Sequence, residues 1–293
     1  MRVAVGGSNG FTGRYVCSEL LKRGFKPIAL IRPGTDPRWM EENLVEYRYA
    51  DLNVKHDVER CCSDVDAFIS TASLGFYSCN DLVSGLHNAG VKRCIFTSTT
   101  GIYTKLEPAS KRIRMDNESL IMDSSLDYTI VRPTMIYGSR RDRNMWRLLL
   151  LIKKWKIIPV IGDGKGLMRP VYVRDVAWAL VEVIERKRTS RMSYNLSGRY
   201  ALTYRSVIEH ASDAIYSRVI LVKIPIIAVR AILKIAGRLG LKTPITLEQV
   251  DRLDEDKDFD HEDARTDFGF HPLSFEEGIR ILGSKFIAYG STL

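Results

Sequence analysis

The sequence predicts an α/β fold with a doubly wound parallel sheet, and three observations predict it. Short apolar runs recur through the first half of the 293 residues, at 3–5, 27–31, 45–49, 66–70, 93–97 and 128–131. A stretch long enough for a helix separates each run from the next, as at 10–23 or 80–89, and strict alternation of strand and helix implies parallel pairing with helices on both faces. A glycine-rich turn follows the first run at once. Composition agrees: 45% hydrophobic and 27% charged residues are ordinary for a globular chain of this size.

The rhythm breaks after Gly138, where the sequence turns mostly helical and Pro159, the glycines of 162–166 and Pro170 mark loops. The expected division is an α/β domain over 1–138, to which 171–198 return, and a smaller, mostly helical lobe built from 139–170 and 199–293. No stretch reaches the roughly 18 uninterrupted apolar residues that span a bilayer. Met1 stands almost directly before the first apolar run, which leaves no room for a signal peptide and points to the cytoplasm. The five cysteines, Cys17, Cys61, Cys62, Cys79 and Cys94, are odd in number and unpatterned, and read as free thiols in the core. Five scattered histidines give no metal-ligand spacing, so no metal is expected.

Net charge is +9, with basic clusters at Arg140-Arg141, Arg143, Arg147, Lys153-Lys154-Lys156 and Arg186-Lys187-Arg188. These read as a solvated face, as a diphosphate site or as attraction to an anionic membrane. Nucleic acid is not expected, because no recognition module accompanies the charge.

The first run leads into Gly7-Ser8-Asn9-Gly10-Phe11-Thr12-Gly13 and then into the amphipathic stretch 14–21. Gly-x-x-Gly-x-x-Gly between a strand and a helix lets backbone N–H groups approach a pyrophosphate, and the helix N-terminus adds partial positive charge. As the first β–α turn it is a Rossmann-type dinucleotide signature. Arg32 ends the second strand, where an acid would bond the ribose of NAD; a guanidinium there suits a 2′-phosphate, so NADP(H) is expected over NAD(H). Asp51 and Leu52 follow the third strand and can hold adenine. Thr71, Ala72 and Ser73 follow the fourth and leave space for ribose.

Further motifs follow: Phe96-Thr97-Ser98-Thr99-Thr100, the stretch from Tyr128 through Arg132-Pro133-Thr134-Met135-Ile136-Tyr137-Gly138, Gly162-Asp163-Gly164, Val173-Arg174-Asp175-Val176-Ala177 and Asn195-Leu196-Ser197-Gly198. With these the chain resembles the short-chain dehydrogenase/reductase superfamily, in its extended or atypical epimerase/dehydratase branch, with nucleotide-sugar enzymes and NmrA-like proteins as relatives. The resemblance implies a catalytic Ser/Thr, Tyr and Lys. Ser98 matches the first. Counting back from Glu118, the tyrosine slot holds Ser110 and the lysine slot Arg114. Neither replaces a tyrosine whose proton a neighbouring lysine loosens. Tyr103, Lys105 and Lys111 are the nearby substitutes. The resemblance also implies that the backbone of Pro133 to Met135 contacts the carboxamide and that Tyr137 walls the nicotinamide.

On the substrate side, Asp142-Arg143-Asn144 opens a helix over 145–154, where the resemblance implies a diphosphate; a capping Asp142 with solvated neighbours is the alternative. Arg169 is a second candidate for that anion, one residue past the family's position. Residues 225–239 read as a helix with Arg230, Lys234 and Arg238 on one stripe among isoleucines. Such a helix packs on its own lobe or lies on a membrane surface. The expected function is therefore an NADP(H)-dependent oxidoreductase or epimerase acting on a sugar carried by a nucleotide or a polyprenyl diphosphate. The alternative is a non-catalytic NADP-binding sensor or accessory subunit. Peripheral membrane contact and a homodimer are the assemblies the sequence leaves open.

Overall fold

The apolar runs form strands because they are rich in Val, Ile, Phe and Ala and are bounded by Gly, Pro and polar turns. The computed structural model describes residues 1–75, 77–239, 243, 247, 250 and 255–290. Its strands are β1 (Arg2–Gly6), β2 (Lys26–Ile31), β3 (Glu46–Tyr49), β4 (Ala67–Ser70), β5 (Arg93–Thr97), β6 (Tyr128–Pro133), β7 (Ile136–Tyr137), β8 (Ile157–Ile161), β9 (Leu167–Met168), β10 (Val171–Tyr172), β11 (Met192–Leu196), β12 (Leu202–Thr203) and β13 (Ile220–Ile224). The helices are α1 (Phe11–Lys22), α2 (Arg38–Glu42), α3 (Lys55–Cys62), α4 (Cys79–Asn88), α5 (Ala109–Asp123), α6 (Met145–Lys154), α7 (Val173–Glu185), α8 (Tyr204–Asp213), α9 (Ile226–Arg238), α10 (Glu262–Phe268) and α11 (Phe275–Gly290).

The described residues form a seven-stranded sheet in the order β11-β6-β5-β4-β1-β2-β3, with every neighbour parallel. It is the doubly wound α/β fold that the alternation predicts. Strands buried on both faces send alternate side chains to opposite sides. Val3, Val5, Ile69, Ile95 and Val131 meet α1 and α7 through Val16, Leu20, Val176 and Leu180. Ala4, Phe68, Phe96 and Ile130 meet α3, α4 and α5 through Val58, Leu82, Leu86 and Ile121. Each large aliphatic or aromatic side chain sealed in this way contributes about 1.5–3 kcal/mol. The five cysteines are free and buried in these two layers. Burial pushes the thiols of Cys17, Cys62 and Cys79 up to about 12, where they are inert.

Beyond Gly138 a third core gathers Leu149 and Ile152 of α6, Val207 and Ala211 of α8, and Ile279, Leu282 and Phe286 of α11. This part is less purely helical than its sequence suggests. β8 and β13 pair in parallel across some sixty residues, Ile157 beside Ile220 and Val160 beside Lys223. Short apolar runs do not distinguish a strand from a buried helix, which is why periodicity misses this pair. No helix among the described residues is long and apolar enough to cross a membrane.

Candidate cofactor and substrate cleft

β1 ends at the point where the sheet changes direction, with β2 on one side and β4 on the other. The glycine loop spans that gap. Gly7 has φ +73°, and a Cβ there would lie 2.9 Å from the Thr71 hydroxyl oxygen. At Gly13 a Cβ would lie 2.3 Å from the Gly7 carbonyl oxygen, so α1 can start against the loop only without a side chain. Ser8 is fully buried, and its hydroxyl donates to the Leu30 carbonyl at 3.1 Å, tying the loop to β2. Ser8 therefore acts through loop shape, while Gly7, Asn9, Gly10, Phe11 and Thr12 face a cavity of about 1040 Å³.

The carboxyl ends of the strands supply the other walls. Arg32 lines the cavity after β2, Asp51 and Leu52 after β3, Thr71, Ala72 and Ser73 after β4, Ser98 after β5, and Pro133 within β6. The Thr71 hydroxyl donates to the Gly6 carbonyl at 2.9 Å, locking the β4 end to the β1 end. The Asp51 carboxylate accepts from the backbone N–H of Asn53 at 3.0 Å and closes a turn. Among the described lining residues the cavity holds Arg32, Arg114, Arg141 and Arg143 against the single carboxylate of Asp51. Such a surplus of fixed positive charge favours a polyanion.

Ser98 is 1% exposed, and its hydroxyl has no hydrogen-bond partner among the described residues. A buried hydroxyl left unpaired costs about 1–3 kcal/mol, so an orphan at a cavity wall marks a place where a ligand completes the bond. Arg114 lines the same cavity. Its Nε donates to the Ser73 hydroxyl at 3.3 Å and its Nη1 to the Ser110 carbonyl at 3.0 Å. Ser110 contributes its backbone there, and its side chain is not among the lining groups.

The three substitutes for the dyad lie elsewhere. The Tyr103 hydroxyl donates to Asn195 Oδ1 at 3.2 Å and accepts from Arg132 at 3.1 Å, and its ring packs on Phe259. Lys105 is exposed, with its backbone N–H held by Glu255. Lys111 Nζ bonds the Thr104 carbonyl at 2.9 Å and Glu107 at 2.6 Å. Glu118, buried on α5, pairs with Arg132 of β6 at 2.6 Å and fixes the helix against the sheet.

On the substrate side 142–144 divide between a cap and the cavity wall. Buried Asp142 caps α6, accepting from the N–H groups of Asn144 at 2.6 Å, Met145 at 3.1 Å and Gly138 at 3.4 Å. Burial raises its carboxyl above the usual range, and those N–H groups pull it back. Arg143 and Asn144 line the cavity. Arg169 is diverted into an ion pair with Asp258. Met135 packs into the third core, and its carbonyl accepts from Val171 N–H at 3.0 Å. Tyr137 is also a core residue: fully buried, it packs on Tyr172 and Phe275 at 5.6 and 5.1 Å.

Two wall residues lie outside the candidate site residues of the sequence. Arg141 donates to the Asn9 carbonyl at 2.8 Å and closes over the glycine loop; its basic run was the signal. Tyr77 has its hydroxyl 2.6 Å from the Ser70 hydroxyl, and burial pushes its phenol well above the ordinary value, so it stays protonated.

Residues 7–150 match the family model for NAD(P)H-binding. The chain carries an NAD(P)H-binding domain. Its fold, a seven-stranded parallel sheet flanked by helices, is Rossmann-like. The chain is 26% identical over 272 residues to NADH dehydrogenase [ubiquinone] 1 alpha subcomplex subunit 9, mitochondrial, of Arabidopsis thaliana, covering 85% of this chain and 67% of that protein. It is 27% identical to the chloroplastic divinyl chlorophyllide a 8-vinyl-reductase of Arabidopsis thaliana, covering 66% of this chain and 52% of the relative. With the ceramide reductase of Caulobacter vibrioides it shares 25% identity over 76% of this chain and 73% of the relative. The chain thus spans only about half to three quarters of these relatives' lengths. UDP-glucose 4-epimerase of Thermotoga maritima, solved with UDP-glucose, superposes with a TM-score of 0.76 at 17% identity, covering 99% of each chain. The gox2253 structure superposes with a TM-score of 0.81 at 17% identity, covering 99% of this chain and 98% of that one. At such identities the likeness shows the fold, and the NAD(P)H-binding domain stands on its own loop and strand ends.

Proposed function

We propose that this protein is an NADP(H)-dependent oxidoreductase or epimerase, acting in the cytoplasm or at its membrane face on a sugar carried by a nucleotide or polyprenyl diphosphate. The observation that carries the reading is the unpaired hydroxyl of Ser98 in a cavity that runs from the glycine loop to Arg143 and Asn144. Arg32 supports NADP(H), since its guanidinium suits a 2′-phosphate. The nicotinamide, when bound, supplies or takes up a hydride. Ser98 donates a hydrogen bond to the substrate oxygen that gains charge, and Arg114 holds a fixed positive charge nearby. A guanidinium is no proton donor or acceptor for catalysis, so proton exchange at the substrate oxygen runs through Ser98 and water. Arg143 and the first N–H groups of α6 suit a diphosphate.

A second reading, a non-catalytic NADP-binding sensor or accessory subunit, is favoured by one observation. The dyad slots hold Ser110 and Arg114, Tyr103 and Lys111 bond away from the cavity, and Lys105 is not among its lining residues. One of the relatives is itself, by name, a subunit of NADH dehydrogenase. Turnover of nucleotide sugars and polyprenyl-diphosphate sugars, read both as NADPH oxidation and as formation of the epimeric sugar, separates the two. The enzyme reading expects turnover that Ser98→Ala reduces about a hundredfold while leaving NADPH affinity within about twofold. Tight NADPH binding without turnover on either substrate class supports the accessory subunit.

A further inference from the structure

The positive charge of this chain is concentrated in two segments. Residues 143–162 and 214–247 carry eleven Lys and Arg and no Asp or Glu, while the rest of the chain carries 33 Lys and Arg against 35 Asp and Glu. All of the net charge therefore belongs to these two stretches. The structure brings them together: the first supplies α6 and β8, the second β13 and α9, and β8 pairs with β13.

The same surface exposes large apolar side chains in a regular arrangement. Helix α9 packs through Val229 and Leu233 against Ile161 and Ile224, the far ends of β8 and β13. Its opposite side carries Ile232, Ile235 and Leu239, spaced as one helical stripe and each more than half exposed. Side chains two residues apart on a strand share a face. Ile157 and Ile220 therefore lie on the sheet face that α9 covers at its other end, and both are more than half exposed. Lys234 and Arg238 flank the helix stripe in solvent, and Lys154 lies 5.6 Å over the exposed ring of Trp155.

We propose that this face docks on an anionic phospholipid bilayer, with the isoleucines and Trp155 at the acyl boundary and the lysines and arginines among the headgroups. A second copy of the chain fits poorly, because a two-fold contact sets a patch against itself and would oppose the Lys234 and Arg238 stripe to its own copy. Nucleic acid would leave the isoleucine stripe unsatisfied. The docking stands on this surface alone and not on the cofactor reading. One consequence does rest on the proposed substrate. α6 starts at the cavity with Asn144 and ends at Trp155 on the proposed membrane face, about 15 Å away along its axis. A diphosphate could enter the cavity while its polyprenyl tail stays in the bilayer.

Flotation of the full chain with phosphatidylcholine vesicles, with and without phosphatidylglycerol, tests the docking. Binding is expected only with the anionic vesicles, and about 0.5 M salt should reduce it severalfold. Lys234→Glu with Arg238→Glu, and separately Ile232→Ser with Ile235→Ser, should each weaken it at least about tenfold while NADPH binding is unchanged. Equal recovery on neutral and anionic vesicles overturns the proposal, as does undiminished binding by both variants. Sedimentation showing a dimer that Ile232→Ser with Ile235→Ser splits, with no vesicle binding by the parent, assigns the face to a second copy instead.

Discussion

At the scale of single residues, the cofactor half of the cleft was legible because backbone geometry dictates it. Gly7 and Gly13 stand where a Cβ would strike Thr71 or the Gly7 carbonyl, and no rearrangement of a side chain relieves the second clash. Gly13→Ala should therefore weaken NADPH binding at least about tenfold and cost about 1–3 kcal/mol of stability, read by titration and by urea unfolding. The catalytic half was not legible. Tyr103, Lys105 and Lys111 lie near Ser98 in sequence, but Asn195, Glu255 and Glu107 decide where they are held, and the first two partners are remote in sequence. A titrating residue lies outside the cofactor cavity. Burial pushes Asp175, in the first turn of α7, up to about 6, while the Leu273 N–H and Arg199 pull it down. Its folded value lies above that of an unfolded aspartate, about 3.9, so the native state holds the proton more tightly. Stability from this group is then greatest at low pH and falls between about pH 4 and 6. Asp175→Asn should gain about 1–3 kcal/mol on the parent protein across that window and hold the gain above it, by urea unfolding at a series of pH values. A gain that shrinks with pH would contradict the assignment.

At the scale of elements, caps and periodicity read well and pairing read poorly. α6 spans the residues its pattern marks, because Asp142 supplies the cap and Met145, Leu149 and Ile152 supply the buried stripe. Removing that carboxylate leaves the N–H groups of Gly138, Asn144 and Met145 without their partner. Asp142→Ala should cost about 1–2 kcal/mol and lower the melting temperature by a few degrees, whereas Asp142→Asn, which can still accept, should lose less. An unchanged melting temperature for the alanine variant would show that the cap contributes nothing. The β8–β13 pair escaped notice because its strands are five residues each and about sixty residues apart in the chain. Nothing local in either run names its partner.

At the scale of the whole molecule, the alternation of apolar runs and helices was enough to predict the parallel sheet, since helices on both faces leave only that pairing. The position of the cleft followed, because open α/β sheets bind ligands at the carboxyl ends of their strands. What composition could not show is how charge is distributed over the surface. The +9 total is set by two segments that the β8–β13 pair joins. The proposed preference for NADP(H) depends on Arg32, which lines the cleft at the end of β2. Equilibrium titration of the protein and of Arg32→Ala with NADPH and NADH tests this most directly. The account predicts at least tenfold tighter binding of NADPH, about 1.4 kcal/mol, most of it lost in the variant. Equal affinity of the parent protein for the two cofactors would contradict it.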